Sequence, residues 1–182
     1  MAADSPAAKR YAQALFELGI DHDELEALGD ALGQSARLFD ESRELRIALL
    51  NPAIELSERR DVVDAICDEA GWPQLFRNFL RLLVDRDRIR HLAAIADEYA
   101  ARTDEHLGRV RARVTSAAEL DDDQLDSLRD RLAKMTDRDV IMTTDVDEEL
   151  IGGVVARVGS TIYDGSVRNH LQRMREAILK EV

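Results

Sequence analysis

Cysteine and aromatic residues are scarce in this chain. Cys67 is the only cysteine among 182 residues, so no disulfide can form within the chain, and the pattern fits a reducing compartment. Aromatic residues make up only 4% of the sequence, so the core must be built mainly from Leu, Ile, Val and Ala. These two shortages exclude a small disulfide-stabilised fold.

Long apolar runs are also missing. The first residues, MAADSPAAKRYAQ, contain no apolar stretch of signal-peptide type, and no later segment approaches the length of a membrane span. We therefore expect a soluble, cytoplasmic protein. Any place at a membrane would depend on other proteins that hold it there.

Basic charge is in deficit. The chain has 25 Lys and Arg residues against 37 Asp and Glu residues, which gives a net charge of −12. A chain this acidic repels phosphate backbones, so nucleic acid is a poor first hypothesis for a partner. The basic residues are almost all Arg, which suits paired, hydrogen-bonded contacts.

Helical periodicity dominates the chain up to about residue 107. Apolar residues recur there at spacings of three and four, which predicts a bundle of helices with short connections. We predict six helices: one over residues 7–19, one opened by Asp21 with Glu24 as a capping-box partner, one over 44–50, one capped by Ser57 and ended by Gly71, one with Pro73 in its first turn, and one over about 87–107.

At Gly108 the apolar period changes to two, which is typical of a half-buried strand. We predict strands over 110–114, 140–144, 154–158 and 161–163, with Gly159-Ser160 as the turn of the last pair. A helix that begins near Asp121 lies between the first two strands, and a final helix is expected to bury Val167, Leu171, Met174 and Ile178. The fold class is therefore α+β and mainly α, with an N-terminal six-helix bundle over residues 1–107 and a small C-terminal α/β unit over 108–182.

No catalytic or metal-binding constellation is evident. The histidines, which are His22, His91, His106 and His170, have no partner at ligand spacing. Cys67 lies on the predicted inner side of its helix, which favours a structural thiol. Asp121, Asp122 and Asp123 stand at a helix start, where carboxylates act as caps. We therefore expect no cofactor, no metal and no enzymatic activity.

Two features suggest contacts with other proteins. The first and fifth helices carry more apolar surface than a bundle edge requires, so they could form a groove for an amphipathic helix, although periodicity equally allows two central core helices. Arg109, Arg111 and Arg113 alternate along a strand and would form one cationic face. A merely solvated strand face explains them as well.

Two segments resemble the delta subunits of bacterial F-type ATP synthases, which are homologous to the mitochondrial oligomycin-sensitivity-conferring protein. They are AKRYAQALFEL over residues 8–18 and LIGGVVARVG over 150–159 followed by IYDGSVRNHL over 162–171. Residues 78–83 and 114–117 match as well. The sequence departs from the family pattern at Glu148, at Ser160 and over residues 136–138, which are all turn positions. Gly152, Gly153, Gly159 and Gly165 are interpreted as structural turn residues, since glycine accepts backbone angles that other residues resist.

The resemblance implies a connector at the cytoplasmic face of the bacterial membrane. In the family, the N-terminal domain binds the N-terminal helix of an alpha subunit and the C-terminal part binds the b subunits of the peripheral stalk, with one copy per complex. The candidate residues of the alpha-facing groove are Tyr11, Ala14, Leu18, Phe79, Leu82 and Leu83. The candidate stalk contacts are Arg109, Arg111, Arg113 and the last helix.

Two other classes of function were weighed. The alternatives are an RNA-binding regulatory helical protein and a metal-dependent hydrolase that uses Asp121 and Asp145. The net charge and the lack of aromatic stacking positions disfavour the first, and neither explains a resemblance that covers the whole chain.

Overall fold

The computed structural model describes residues 6–147, 150–159 and 161–180, with side chains described through residue 174. The α+β fold class is confirmed, with helices first and a mixed sheet after them. The elements in chain order are α1 Pro6–Asp21, α2 Leu25–Glu41, α3 Arg43–Leu50, α4 Leu56–Ala70, α5 Gln74–Asp85, a 3₁₀ turn Ile89–His91, α6 Leu92–His106, β1 Arg109–Ser116, α7 Asp122–Thr136, β2 Asp139–Val146, β3 Val154–Val158, β4 Thr161–Asp164 and α8 Val167–Lys180. Of the predicted turn residues, Glu148 and Ser160 lie outside the described residues.

The chain divides into two compact units, Met1–Thr103 and Asp104–Val182. The core of the first unit is built from aliphatic residues of its helices around a few rings. Its largest fully buried side chains are Tyr99, Phe76, Leu15, Leu28, Leu32, Leu83, Ile89, Leu92, Ile95, Val63 and Val84. As the scarcity of aromatic residues predicts, leucine and isoleucine fill most of this core.

The second unit contains one four-stranded sheet in the order β2-β1-β3-β4. β1 pairs in parallel with β2 and antiparallel with β3, and β3 pairs antiparallel with β4. One face of the sheet packs Ala112, Val114 and Ala156 against Leu132 of α7. On β1 the arginines alternate with these buried residues and therefore project from the opposite face.

Several predicted helix starts are wrong. The sixth helix begins at Leu92, after the 3₁₀ turn, and not at about residue 87. Asp21 ends α1 instead of opening α2, because the Glu24 N–H donates to the Gly19 carbonyl and Asp23 turns the chain with φ of 56°. Glu24 precedes α2 without a side-chain cap. In α4, Ser57 lies inside the first turn, since the helix begins at Leu56 after Glu55.

Two helix boundaries follow their predicted signals. Gly71 ends α4 in the left-handed conformation with φ of 65°, where glycine has no steric penalty. Asp121 Oδ1 accepts a hydrogen bond from the Gln124 N–H, and the Asp121 N–H donates to Gln124 Oε1, which completes a capping box. The capping interpretation of Asp121 is confirmed.

The predicted burial of the last helix is wrong. Val167 is 39%, Leu171 57% and Met174 52% exposed, and the Ile178 side chain lies outside the described side chains. The apolar period of α8 is present as predicted, but the stripe faces solvent. Periodicity identifies an apolar face and does not say whether it packs within the chain or against a partner.

Candidate partner-binding surfaces

The first candidate surface lies where α1 and α5 meet. The rings of Tyr11 and Phe79 meet edge to face with centroids 6.4 Å apart, so the two helices are in direct contact. On the same two helices, Leu18 of α1 is 39% and Leu82 of α5 is 42% exposed, and Ala14 of α1 is also exposed. We call Tyr11, Ala14, Leu18 and Leu82 the α1–α5 surface.

Two of the six predicted groove residues lie beneath this surface. Leu83 is fully buried and Phe79 is 7% exposed, and both belong to the core of the first unit. They support the surface from below, while the other four residues are the ones that a partner can reach. Sequence spacing placed all six on neighbouring stripes but did not separate the two layers.

The composition of α1 explains why one side of it stays uncovered. Its first stripe, Ala8, Ala12, Leu15 and Gly19, is fully buried. Because three of these four residues are small, α1 can lie close to its neighbours. The second stripe is the one that contains Tyr11, Ala14 and Leu18, and it extends the apolar face beyond what the core covers.

The strand arginines form a second candidate surface, and acidic residues already pair with two of them. The Arg111 guanidinium hydrogen-bonds the Asp104 carboxylate, which raises the pKa of Arg111. Arg113 Nε lies 3.6 Å from Asp145 Oδ2, and both side chains are largely exposed. Asp145 lies on β2, the parallel neighbour of β1, so this face carries interleaved charges of both signs.

The exposed face of α8 is a third candidate surface. The last helix was expected to contact the stalk, but its apolar residues were expected to be buried in the core. Val167, Leu171 and Met174 follow at spacings of four and three, so they share one side of the helix. We call these three residues the α8 stripe. Arg168, His170 and Arg173 lie between them in sequence and make the helix basic in an otherwise acidic chain. That basic flank was the sequence signal for a surface helix.

The signature glycines form a close backbone contact. Gly153 has φ of 84°, and a Cβ placed there would lie 2.3 Å from the Gly165 carbonyl oxygen. Gly159 also has a positive φ, of 58°, but a Cβ there would meet no atom within 4 Å. Glycine at residue 153 is therefore required by both conformation and space, and glycine at residue 159 by conformation alone.

The described residues provide no evident reactive centre. Cys67 is fully buried, and burial raises the pKa of its thiol, which suppresses the reactive thiolate. Within the described ranges, no three His, Cys, Asp or Glu side chains converge as a metal site. None of the helices that the structure describes is long and apolar enough to cross a membrane.

The chain is similar to known proteins over almost its whole length. Residues 7–178 match the family model "ATP synthase delta (OSCP) subunit". The chain is 41% identical over 171 residues to the ATP synthase subunit delta of Anaeromyxobacter dehalogenans strain 2CP-1, covering 94% of this chain and 96% of that protein. It is 36% identical over 173 residues to the subunit delta of Geobacter metallireducens, covering 95% and 96%.

A solved structure shares the fold. A chain in the cryo-electron-microscopy structure of the Toxoplasma gondii mitochondrial ATP synthase hexamer superposes with a TM-score of 0.72 at 21% identity. The match covers 96% of this chain and 98% of that chain. It therefore extends over the helical part and the sheet alike.

Proposed function

The chain belongs to the ATP synthase delta (OSCP) subunit family, as a non-catalytic component of the peripheral stalk of an F-type ATP synthase, and we propose that it joins the catalytic head to that stalk through two separate surfaces. Residues 1–107 bind the alpha subunit and residues 108–182 bind the b subunits. One copy, monomeric when isolated, acts at the cytoplasmic face of the bacterial membrane. The joint resists the torque of the rotor, so that proton transport drives ATP synthesis.

The uncovered second stripe of α1 carries the proposal for the head. Together with Leu82 it offers an apolar strip between two contacting helices, which suits the apolar face of an amphipathic helix. We infer that the N-terminal helix of an alpha subunit lies along Tyr11, Ala14, Leu18 and Leu82. Phe79 and Leu83 would keep this strip in shape from below.

Titration calorimetry with a peptide of the alpha-subunit N-terminus tests the head contact. We expect one-to-one binding that Leu82→Asp weakens by roughly tenfold to a hundredfold, because a charge replaces a side chain that becomes buried. Ile47→Asp is the matched control, since Ile47 is 51% exposed on α3 of the same unit. Equal affinities of the two variants would overturn the groove assignment.

The α8 stripe and the arginine face support the proposal for the stalk. An apolar stripe flanked by Arg residues fits an acidic amphipathic helix, and Arg111 and Arg113 add paired cations on the sheet. Arg109 shares their face of β1. We infer that the end of the b subunits contacts α8 and this face.

Two methionines of the second unit provide a matched test of the stalk contact. Met174 in α8 is 52% exposed and Met135 in α7 is 58% exposed. We expect Met174→Asp to weaken binding of a C-terminal b-subunit segment by tenfold or more and Met135→Asp to leave it unchanged, as roughly 1.4 kcal/mol corresponds to each factor of ten. Equal binding by both variants would remove α8 from the contact.

A further inference from the structure

Over its described side chains, α8 is attached to the rest of its unit mainly through its first turn. Among its described side chains, which are those of residues 167–174, all are exposed except Asn169, which is half-buried. Residues 167–174 therefore offer no packed side-chain layer that would fix the direction of the helix. Over this stretch the direction is set where the helix leaves the sheet.

A network of hydrogen bonds holds that point. The Gly165 N–H donates to the Val154 carbonyl at 2.9 Å, and the Val167 N–H donates to the Gly152 carbonyl at 3.0 Å. These bonds extend the pairing of β3 with β4 into the first residue of α8. The first residue of α8 is thus still hydrogen-bonded to the segment that leads into β3.

Side chains lock the same turn. The Ser166 N–H donates to Asp164 Oδ1 at 2.9 Å, and the Asn169 N–H donates to Ser166 Oγ at 3.2 Å. Asn169 Nδ2 donates a hydrogen bond to the Asp164 carbonyl at 3.0 Å. This bond explains why Asn169 is half-buried while the other side chains of residues 167–174 are exposed. Ser166 itself is only 5% exposed, so the turn is closed to solvent at its centre.

Close backbone contact leaves this turn little freedom. A Cβ on Gly153 would lie 2.3 Å from the Gly165 carbonyl oxygen and 3.0 Å from Ser166 Cα, and a Cβ on Gly165 would lie 3.1 Å from the Val154 carbonyl oxygen. Contacts below 3.0 Å with backbone atoms cannot be relieved by a side-chain rotation. We call residues 152–154 together with 164–169 the α8 junction.

We propose that the α8 junction is a positioning device that fixes the direction of α8 relative to the sheet and thereby aims the α8 stripe at its partner. The first half of this statement stands on the junction geometry alone. The second half rests on the proposed stalk contact. Gly153, Gly165, Asp164 and Asn169 are then positioning residues that touch no partner themselves.

A distance between two spin labels on the full-length chain measures the direction of α8. We place nitroxides at Asp130→Cys in α7 and Met174→Cys in α8, both of which are exposed. Cys67 is 0% exposed and stays unlabelled in the folded protein. A change of direction of about 30° moves the label by about 5 Å, because Met174 lies roughly 10 Å along the helix from Val167.

Gly153→Ala is the informative variant and Gly159→Ala is its matched control. Both replace a glycine of positive φ in the same unit, but only the Cβ at residue 153 meets backbone atoms. We expect a single narrow distance distribution in the parent and in Gly159→Ala, and a shifted or at least twofold broader one in Gly153→Ala. Asn169→Ala, which removes one lock without a clash, is expected to broaden the distribution if Gly153→Ala fails to fold.

Two results separate this proposal from the proposed function. If Gly153→Ala and Asn169→Ala both fold and keep the parent distribution, the junction does not set the direction and the inference is overturned. If the distribution changes but the unlabelled parent does not bind the b-subunit segment, the junction stands and the stalk contact fails. If the parent binds, we expect Gly153→Ala to bind at least tenfold more weakly and Gly159→Ala to bind normally.

Discussion

Tyr99 shows how a chain with few aromatic residues uses one of them. It is 1% exposed, its hydroxyl donates to the Leu25 carbonyl at 2.8 Å, and its ring meets Phe16 edge to face. Gly19 and Gly29 make room for it, since a Cβ on Gly19 would lie 2.9 Å from the hydroxyl oxygen. One side chain of α6 thus secures the connection between α1 and α2.

The hydroxyl of Tyr99 gives a first prediction. Tyr99→Phe leaves the Leu25 carbonyl without its partner in the core, which costs about 1–2 kcal/mol of unfolding free energy. Urea unfolding followed by circular dichroism measures the loss. Tyr11→Phe, which keeps a half-buried ring, is the control and should change stability by less than about 0.5 kcal/mol. Equal losses in the two variants would contradict the role of this hydrogen bond.

A second prediction concerns alkaline pH. Burial raises the pKa of Tyr99 from 10.0 to about 12. Because the pKa is raised in the folded state, the contribution is fully present below pH 10 and is lost as pH rises towards 12. We expect the parent to lose about 2 kcal/mol more than Tyr99→Phe by pH 12. Parallel stability curves for the two proteins above pH 10 would contradict this.

At the scale of elements, α4 and α5 are joined by a ladder of ion pairs. Arg60 and Asp85 pair through two hydrogen bonds of 2.8 and 2.7 Å, and Arg81 pairs with Asp64 in the same way. Arg77 with Asp68 is the next rung. The rungs recur every four residues on both helices, which is the spacing of one helix face. The hydrogen bonds lower the pKa of Asp64 and of Asp85.

The ladder predicts a specific rescue. Asp64→Arg places two cations opposite each other and should lower the melting temperature by a few degrees, while the double variant Asp64→Arg with Arg81→Asp restores most of it. The rescue requires the carboxylate introduced by Arg81→Asp to be ionised, so it should be present near neutral pH and fade below about pH 4. Differential scanning calorimetry near neutral pH and below about pH 4 measures the melting temperatures of the three proteins. A double variant as unstable as the single one would refute the ladder.

Local signals in the sequence predicted some helix boundaries correctly and others wrongly. Gly71 and Asp121 act as boundaries because a left-handed cap and a capping box depend on neighbouring residues only. The start of α2 was predicted wrongly because α1 extends through Asp21. The backbone hydrogen bonds at that end of α1 involve no capping side chain that the sequence could reveal. The α8 stripe was placed in the core because periodicity reports an apolar face without its covering.

For the candidate surfaces, the sequence predicted the helices and strands that carry them but not which of their residues are exposed or paired. Spacing identified α1 and α5, but the burial of Leu83 beneath the exposed Leu82 depends on packing against other helices. The pairing of Arg111 with Asp104 depends on where α6 ends relative to β1. The contact of Gly153 with Gly165 depends on the register between β3 and β4. The sequence motif identifies these glycines but does not predict that register.

At the scale of the whole molecule, the two partner surfaces differ in character. The α1–α5 surface is apolar, while the stalk side combines an apolar stripe with arginines. Between roughly 0.05 and 0.5 M salt, exposed ion pairs are progressively screened and apolar contacts are not. Calorimetry should therefore show nearly constant affinity for the alpha peptide and a several-fold loss for the b segment. Equal salt dependence would contradict the assignment of the charges.

The central claim is that one chain holds the head and the stalk at the same time. The most direct measurement is sedimentation velocity of a mixture of three components. They are the full-length chain, the b-subunit segment, and the alpha-subunit peptide fused to a carrier protein. We expect a ternary complex that contains one copy of the chain, is lost with Leu82→Asp or Met174→Asp, and is retained with Ile47→Asp. Competition between the two partners for the chain, with only binary complexes at saturation, would contradict it.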